Sequence, residues 1–509
     1  MDRLSAVPEA LPEAQAGAGV GPGAVFLDAS ARRARELPGG PAAVPYPRGA
    51  ATRPGDPGRA LLHLEWQPHP AAAAPPAGRA WHVLGSAGAP LAAALRALGD
   101  TVAVHADAAS AARHPTVLAP FLPYPGGAGA AGESGAALGA LAVLKSWLAA
   151  RGRTGARLVV VTRGAVAAAT AEDVPDLAHA PLWGLVRSAL AEHPDSFALL
   201  DVDGTRESWR ALPAAVASGE PQQALREGVV RVPRLVAAPP AGTPEGSGFG
   251  PGSTVLVTGA AGALGGLVAR HLVRAHGVRR LVLAGRSAAD ARLTSLAGEL
   301  RRLGASAVAA GCDMTDRAAL AALLTPAPGS PAVTAVVHCA GTVDDGVLTR
   351  LTPHRTAGVL AAKAGSARHL HELTQGLDLT AFVLFSSAAG VLGAPGRAHY
   401  AAASSFLDAL AHHRRARGLP ALSLAWGPWA QRGGMAGPLE LHRSARAGIL
   451  GLTPRRGLAL LDAALGAGRP AVVPVRLDTA RLHAAASDPA RALLRSLTPA
   501  PAAACETPA

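Results

Sequence analysis

The sequence predicts an α/β chain built from two tandem, doubly wound parallel-sheet units. Three observations carry that expectation. Short apolar runs of strand length alternate with amphipathic helical stretches, the order helix, strand, helix, strand occurs twice, and a Pro/Gly/Ser-rich segment at 236–252 separates the two occurrences. Length agrees, because 509 residues exceed one ordinary core. Hydrophobic residues at 49% allow a large interior, and aromatics at 3% leave Ala, Val and Leu to fill it.

Residues 1–58 are rich in Ala, Gly and Pro with weak periodicity and read as a flexible leader or linker, with one short helix near 28–36. The first unit, 59–240, opens with AWHVLGSAGAPLAAAL, a strand and helix joined by a turn poor in glycine. A helix over 136–150, the strand RLVVVTRGA, the helix PLWGLVRSALAEH and the strand FALLDVDG follow. The second unit, 250–485, repeats the rhythm with a helix over 364–373, the strand AFVLFSSAAG, a helix over 400–415 and the strand ALSLAWG. From 486 to 509 the chain reads as a disordered tail.

Composition narrows the partners. The net charge of +13 is spread over scattered arginines and pairs such as Arg301-Arg302, with no dense basic run interleaved with aromatics. That argues against nucleic acid and for an acidic ligand, such as a phosphorylated cofactor or an acidic carrier protein. Three cysteines (Cys312, Cys339, Cys505) have no metal-ligand spacing, so no metal is expected. Asp2 and Glu9 precede any apolar run, and no stretch reaches the ~20 apolar residues of a membrane span, so a cytoplasmic chain is expected. There is no Asn, and there are only two Lys (Lys145, Lys363) and three Tyr (Tyr46, Tyr124, Tyr400). A Lys or Tyr that persists under such bias is a candidate for chemistry.

The second unit opens with STVLVTGAAGALGGLVARHLVRA, a buried strand running into a turn with Gly259, Gly262 and Gly265 and then a helix starting at Ala263 and Leu264. Glycines at this turn let the backbone approach a pyrophosphate, while the helix N-terminus presents free N–H groups, as in a Rossmann-like dinucleotide site. The next strand ends at Arg286, 21 residues after Gly265, where an acidic residue would bind the ribose hydroxyl of NAD. An arginine there favours the 2′-phosphate of NADPH. Asp313 and Met314 after SAVAAGC, and Ala340 and Gly341 after HC, stand where they would line the same cleft.

Ser387 closes the strand AFVLFSS, and Tyr400 follows 13 residues later at a helix start. Side chains past the carboxyl ends of parallel strands lie where ligands bind in open α/β sheets. A phenol, with an unperturbed pKa of about 10, needs a nearby cation to act as an acid at neutral pH. Lys363 is the candidate cation and would also bond the nicotinamide ribose, while Ser387 would hold the substrate carbonyl. Read singly, Ser387 is a strand-end turn residue and Tyr400 a packing aromatic. Read jointly with the cofactor turn, they make a reductase site.

The stretch TGAAGALG…HCAGTVDDGVL…KAGSARHLHEL…FVLFSSAAGVLGAPG…HYAAASSFLDALAHHRRARGLPALSLAWGPW resembles ketoreductase domains of modular type I polyketide synthases, within the short-chain dehydrogenase/reductase superfamily. The first unit, with Glu65-Trp66, PLWGLVRSALAEHP and VPRL, is similar to their catalytically silent structural subdomain. The resemblance covers about 60–480. It implies NADPH-dependent reduction of a β-ketoacyl group on an acyl carrier protein, in association with other synthase modules. It also implies a first sheet without a cofactor site. In this family the Lys comes from the helix that here holds Lys363, and Ser387 and Tyr400 match the family's Ser and Tyr. The Asn usually found one helical turn after the Tyr is Ser404 here. Val343-Asp344-Asp345 is close to the Leu-Asp-Asp of B-type domains, and Leu392 stands where A-type domains carry Trp, which implies a D-configured hydroxyl product. Asp344 and Asp345 also read as a solvated turn. Ser404 keeps open a scaffold with an impaired site, and a general dehydrogenase of free ketones is a third reading.

Overall fold

The computed structural model describes residues 60–497, apart from 71–77, 86–88, 123–131, 153, 170, 240–247, 327, 432–436 and 486–487. The leader at 1–58 with its expected helix, the middle of the 236–252 segment and the last twelve residues lie outside the described residues.

Eight strands belong to the first half: β1 (Leu61–Pro68), β2 (Ala80–Leu84), β3 (Thr101–His105), β4 (Thr116–Phe121), β5 (Arg157–Arg163), β6 (Phe197–Val202), β7 (Gln222–Arg226) and β8 (Val229–Ala237). The second half contributes β9 (Thr254–Thr258), β10 (Arg280–Gly285), β11 (Ser306–Gly311), β12 (Ala335–His338), β13 (Ala381–Ser387), β14 (Leu422–Trp426), β15 (Ile449–Leu450), β16 (Ala471–Pro474) and β17 (Arg476–Leu477). Strands such as β9 (TVLVT) and β14 (LSLAW) are buried along their whole length, as parallel strands with helices on both faces must be.

Both halves are parallel and wound as expected, yet they form one sheet. Its fifteen strands run β11-β10-β9-β12-β13-β14-β16-β1-β8-β7-β6-β5-β4-β2-β3. β1 is the seam, antiparallel to β16 through Leu61↔Pro474 and Leu62↔Val473, and antiparallel to β8 from Leu62↔Ala237 to Pro68↔Arg231. Among the described residues the one other antiparallel pair in this sheet is β7 with β8.

Helices from the two halves share a core. The helix Pro181–Glu192 of the first half packs on Ala398–Ala416 of the second, burying Leu182, Leu185 and Ala189 with Ala402, Phe406 and Leu410. The approach is close: a Cβ on Gly184 would stand 2.1 Å from Ala401 O and 2.6 Å from Ser405 Oγ.

Two boundaries differ from the expectations. The helix predicted from 364 starts earlier, because Pro353–Leu360 continues through a π-turn (Ala361–Gly365) into Ser366–Leu373. The tail expected to be disordered from 486 carries structure over its described residues 488–497: Asp488–Leu494 is a helix followed by a 3-10 turn, and Ala492, Leu493 and Leu494 are buried. The apolar residues of RALLRSL account for this: Leu494 clusters with Leu62 of β1 and Leu235 of β8, and Leu497 packs against the same group.

Candidate active site

A cavity of about 810 Å³ opens at the carboxyl ends of β9, β10, β12, β13 and β14. Gly259, Gly262, Ala263, Leu264, Gly265, Arg286, Asp313, Met314, Ala340, Gly341, Lys363, Ser387, Leu392 and Tyr400 all line it. The structure therefore gathers the sequence-predicted cofactor residues and three of the four catalytic candidates around one space.

The glycine turn is tight for a visible reason. Gly259 has φ +66°, and a Cβ there would stand 2.8 Å from Ala340 N, while one on Gly265 would stand 2.4 Å from Gly259 O. Gly262 caps the helix Ala263–Arg274 without a side-chain hydrogen bond, so the first-turn N–H groups face the cavity uncapped. A helix N-terminus with glycines and no competing side chain fits the pyrophosphate of a nicotinamide dinucleotide. Exposed Arg286 stands at the end of β10, and Arg292, on the following helix Ala291–Arg302, lines the same wall. Sequence reasoning missed Arg292, whose only signal was one more arginine in an arginine-rich chain. Asp313 accepts from Thr315 N at 2.9 Å and Thr315 Oγ1 at 2.8 Å, and these bonds, with the charge of Arg286, hold its carboxyl below the usual range.

The catalytic candidates meet on the helix Ala398–Ala416 and the π-turn. Lys363, 2% exposed, donates from Nζ to Ser404 Oγ at 3.1 Å, and its ammonium lies 4.2 Å from the centroid of the Tyr400 ring. Ser404 Oγ donates in turn to Tyr400 O at 2.9 Å. Ser404 thus sits behind the cavity wall rather than in it, and touches both residues that form the wall. Ser387 Oγ accepts from Ala389 N at 3.3 Å, which fixes the turn after β13. Beneath Lys363, His338 Nε2 approaches Lys363 O at 3.3 Å while its Nδ1 meets Thr258 Oγ1 at 2.8 Å. Burial pushes this imidazole down to about 4, so it is neutral and anchors the π-turn.

Asp408 was also missed. It follows Tyr400 and Ser404 at the same four-residue interval, so all three share one helix face, a periodicity visible in YAAASSFLD. It accepts from Ser423 Oγ at 2.6 Å, and desolvation of this part-buried carboxyl raises it to about 6 despite the nearby Ser423, Ser386, Lys363 and Arg187. Ser386 Oγ donates to Ser404 O at 3.0 Å and ties β13 to the same face.

Asp344 and Asp345 do not line the cavity. Asp344 forms a bidentate pair with Arg355, and Asp345 pairs with Arg397, which also reaches Glu440 at 3.2 Å. Both carboxyls lie below the usual range, held there by hydrogen bonds from these arginines. Arg397 and Glu440 do line the cavity, so Asp345 is joined to its wall through Arg397. In the first half, at the place corresponding to Ser387 and Tyr400, Trp183 Nε1 donates to Thr162 Oγ1 at 3.1 Å and Thr162 Oγ1 to Asp201 at 2.6 Å, with Arg226 paired to Asp201 at 2.8 Å.

Comparison with known proteins matches the two halves separately. Residues 253–431 match the family described as KR domain, and 64–235 match the Rossmann fold domain of the polyketide synthase extender module SpnB. Polyketide synthase GfsE of Streptomyces halstedii is 46% identical over 87% of this chain, which spans 12% of that relative's length. GfsB of the same organism is 47% identical over 87% of the chain and 8% of its own length. An A1-type ketoreductase structure is similar at 37% identity, covering 87% of this chain and 98% of that one, with a TM-score of 0.74. A C2-type ketoreductase from a modular polyketide synthase shows 30% identity over 86% of this chain and 100% of its own, with a TM-score of 0.76.

Proposed function

The chain belongs to the ketoreductase family of modular polyketide synthases, and we propose that it reduces a β-ketoacyl thioester on an acyl carrier protein to the β-hydroxyacyl thioester with NADPH. The observation that carries this reading is the contact of Lys363 with Ser404 and with the Tyr400 ring, on the wall of a cavity whose far side is an uncapped helix N-terminus. Residues 59–240 serve as the structural subdomain and 250–485 as the catalytic one.

The first-turn N–H groups at Ala263, Leu264 and Gly265 would hold the pyrophosphate, and Arg286 with Arg292 would attract the 2′-phosphate by charge. Asp313 and Met314 would flank the adenine, and Ala340 and Gly341, which also line the cavity, would lie along the cofactor. When bound, the nicotinamide supplies a hydride to the β-carbon. Ser387 orients the substrate carbonyl, and the Tyr400 hydroxyl gives its proton to the carbonyl oxygen. The Lys363 ammonium stabilises the negative charge left on the phenol. Ser404 holds that ammonium in place, the part the family's Asn would play. Leu392 and the Val343-Asp344-Asp345 turn support a B-type, D-configured product, with Asp345 acting through Arg397. The likeness to A1- and C2-type structures bears on the fold and not on the configuration. The charge pattern supports a phosphopantetheine-linked, acidic carrier as partner and other synthase modules as neighbours.

The test is NADPH oxidation with a diffusible β-ketoacyl thioester, followed by chiral analysis of the product. Tyr400→Phe is expected to lower kcat by ~10²–10⁴-fold while NADPH still binds. Turnover that survives Tyr400→Phe would sink the mechanism. An inactive wild-type chain that binds NADPH would make it a scaffold, and equal turnover of simple ketones a general dehydrogenase.

A further inference from the structure

The cofactor helix Ala263–Arg274 carries chemistry at both ends. At the end remote from the cavity, His271 lies in its last turn and His276 just beyond its C-cap, and both face Asp462 on the helix Pro454–Leu465. His271 Nε2 stands 2.8 Å and His276 Nε2 2.9 Å from the same carboxylate oxygen, Asp462 Oδ1. The three ligand atoms all lie within 4.8 Å of one another. The two imidazoles meet edge to face, with centroids 5.3 Å apart and planes at 75°, and Phe249 packs edge-on against His276 at 5.9 Å. The histidine side chains are mostly covered, whereas Asp462 is 44% exposed, so the trio is open to solvent on the carboxylate side.

We propose that His271, His276 and Asp462 form a binding site for a divalent transition cation of the zinc class, joining the end of the cofactor helix to the helix Pro454–Leu465. Two imidazole nitrogens and one carboxylate oxygen are a borderline donor set that suits Zn²⁺ rather than Mg²⁺ or Ca²⁺. Metal–ligand bonds of ~2.0–2.1 Å in a tetrahedral site place neighbouring ligand atoms about 3.3 Å apart, so opening the observed 2.8 and 2.9 Å separations from Asp462 by a few tenths of an ångström admits the ion. The carbonyl end of a helix favours a cation. The solvent-facing side leaves a position for water. None of the three residues lines the cavity, so the site is separate from the reaction.

One other trio converges among the described residues, His82 with His105 and His114, and it makes a natural control. There the rings of His82 and His114 stack face to face at 3.4 Å with planes at 9°. Stacked rings hold their in-plane lone pairs in two separate parallel planes, a poorer arrangement for sharing one ion.

The experiment titrates the chelator-stripped full chain with ZnCl₂ by calorimetry, alongside His276→Ala, Asp462→Asn and His105→Ala. NADPH binding followed by fluorescence reports that each variant is folded. The expected result is one saturable Zn²⁺ site, weakened about tenfold or more by His276→Ala and by Asp462→Asn and unchanged by His105→Ala, with no response to MgCl₂. Absence of saturable Zn²⁺ binding in the native chain overturns the proposal. So does binding that survives both variants, or that is lost only in His105→Ala.

Discussion

Ser404 has one hydroxyl and two partners, accepting from Lys363 Nζ and donating to Tyr400 O. Removing the acceptor leaves a buried ammonium short of a bond worth about 1.5–3 kcal/mol. Ser404→Ala is therefore expected to lower kcat by ~10–100-fold in the thioester assay, with KM for NADPH little changed. Arg286 and Arg292 act at the other end of the cavity. Replacing both with Ala is expected to raise KM for NADPH by at least about tenfold and leave that for NADH unchanged, measured in the same assay. Asp408 gives a pH prediction. Its folded value of about 6 exceeds the unfolded 3.8, so at pH 7–8 the folded state bears the cost of an ionised, partly desolvated carboxylate, at most on the order of 3 kcal/mol. That cost shrinks as pH falls from about 6 and vanishes below 3.8, where both states are protonated. Asp408→Asn is expected to melt above the wild type at pH 8, with the gap closing by pH 4 in a thermal-melt series.

At the level of elements, the helix Ala398–Ala416 does two jobs, presenting Tyr400 to the cavity and burying Ala401, Ala402 and Ser405 under the first half. Gly184→Ala would drive a methyl into Ala401 O. It is expected to cost about 3 kcal/mol in urea unfolding and to lower activity with stability, since the displaced helix carries Tyr400. The cofactor strand and its glycine helix were legible because β9 and Ala263–Arg274 combine a buried apolar run with a 3.6-residue pattern. The π-turn was not, since the wider winding over Ala361–Gly365 leaves no mark in AAKAG, although Lys363 itself stood out by scarcity. The ion pairs of Asp344 and Asp345 also escaped the sequence, because Arg355 and Arg397 reach them from 11 and 52 residues away.

Across the whole molecule, alternating strands and helices announced two parallel sheets, but nothing local announced that they are one. The join depends on β1, whose partners β8 and β16 lie far along the chain, and register between distant strands has no local signature. The seam also orders events during synthesis. β1 is among the earliest described strands to leave the ribosome, yet one of its two edges stays unpaired until the residues around 471–474 have been made. The first half can wind up β2 to β8 co-translationally, while the seam edge waits exposed for its last neighbour. Completion of the sheet is thus a late step, set by the most sequence-distant strand pairing among the described residues. A nascent chain stalled before β16 is expected to present that edge to chaperones, and strand-seeking peptides to bind it in competition with β16.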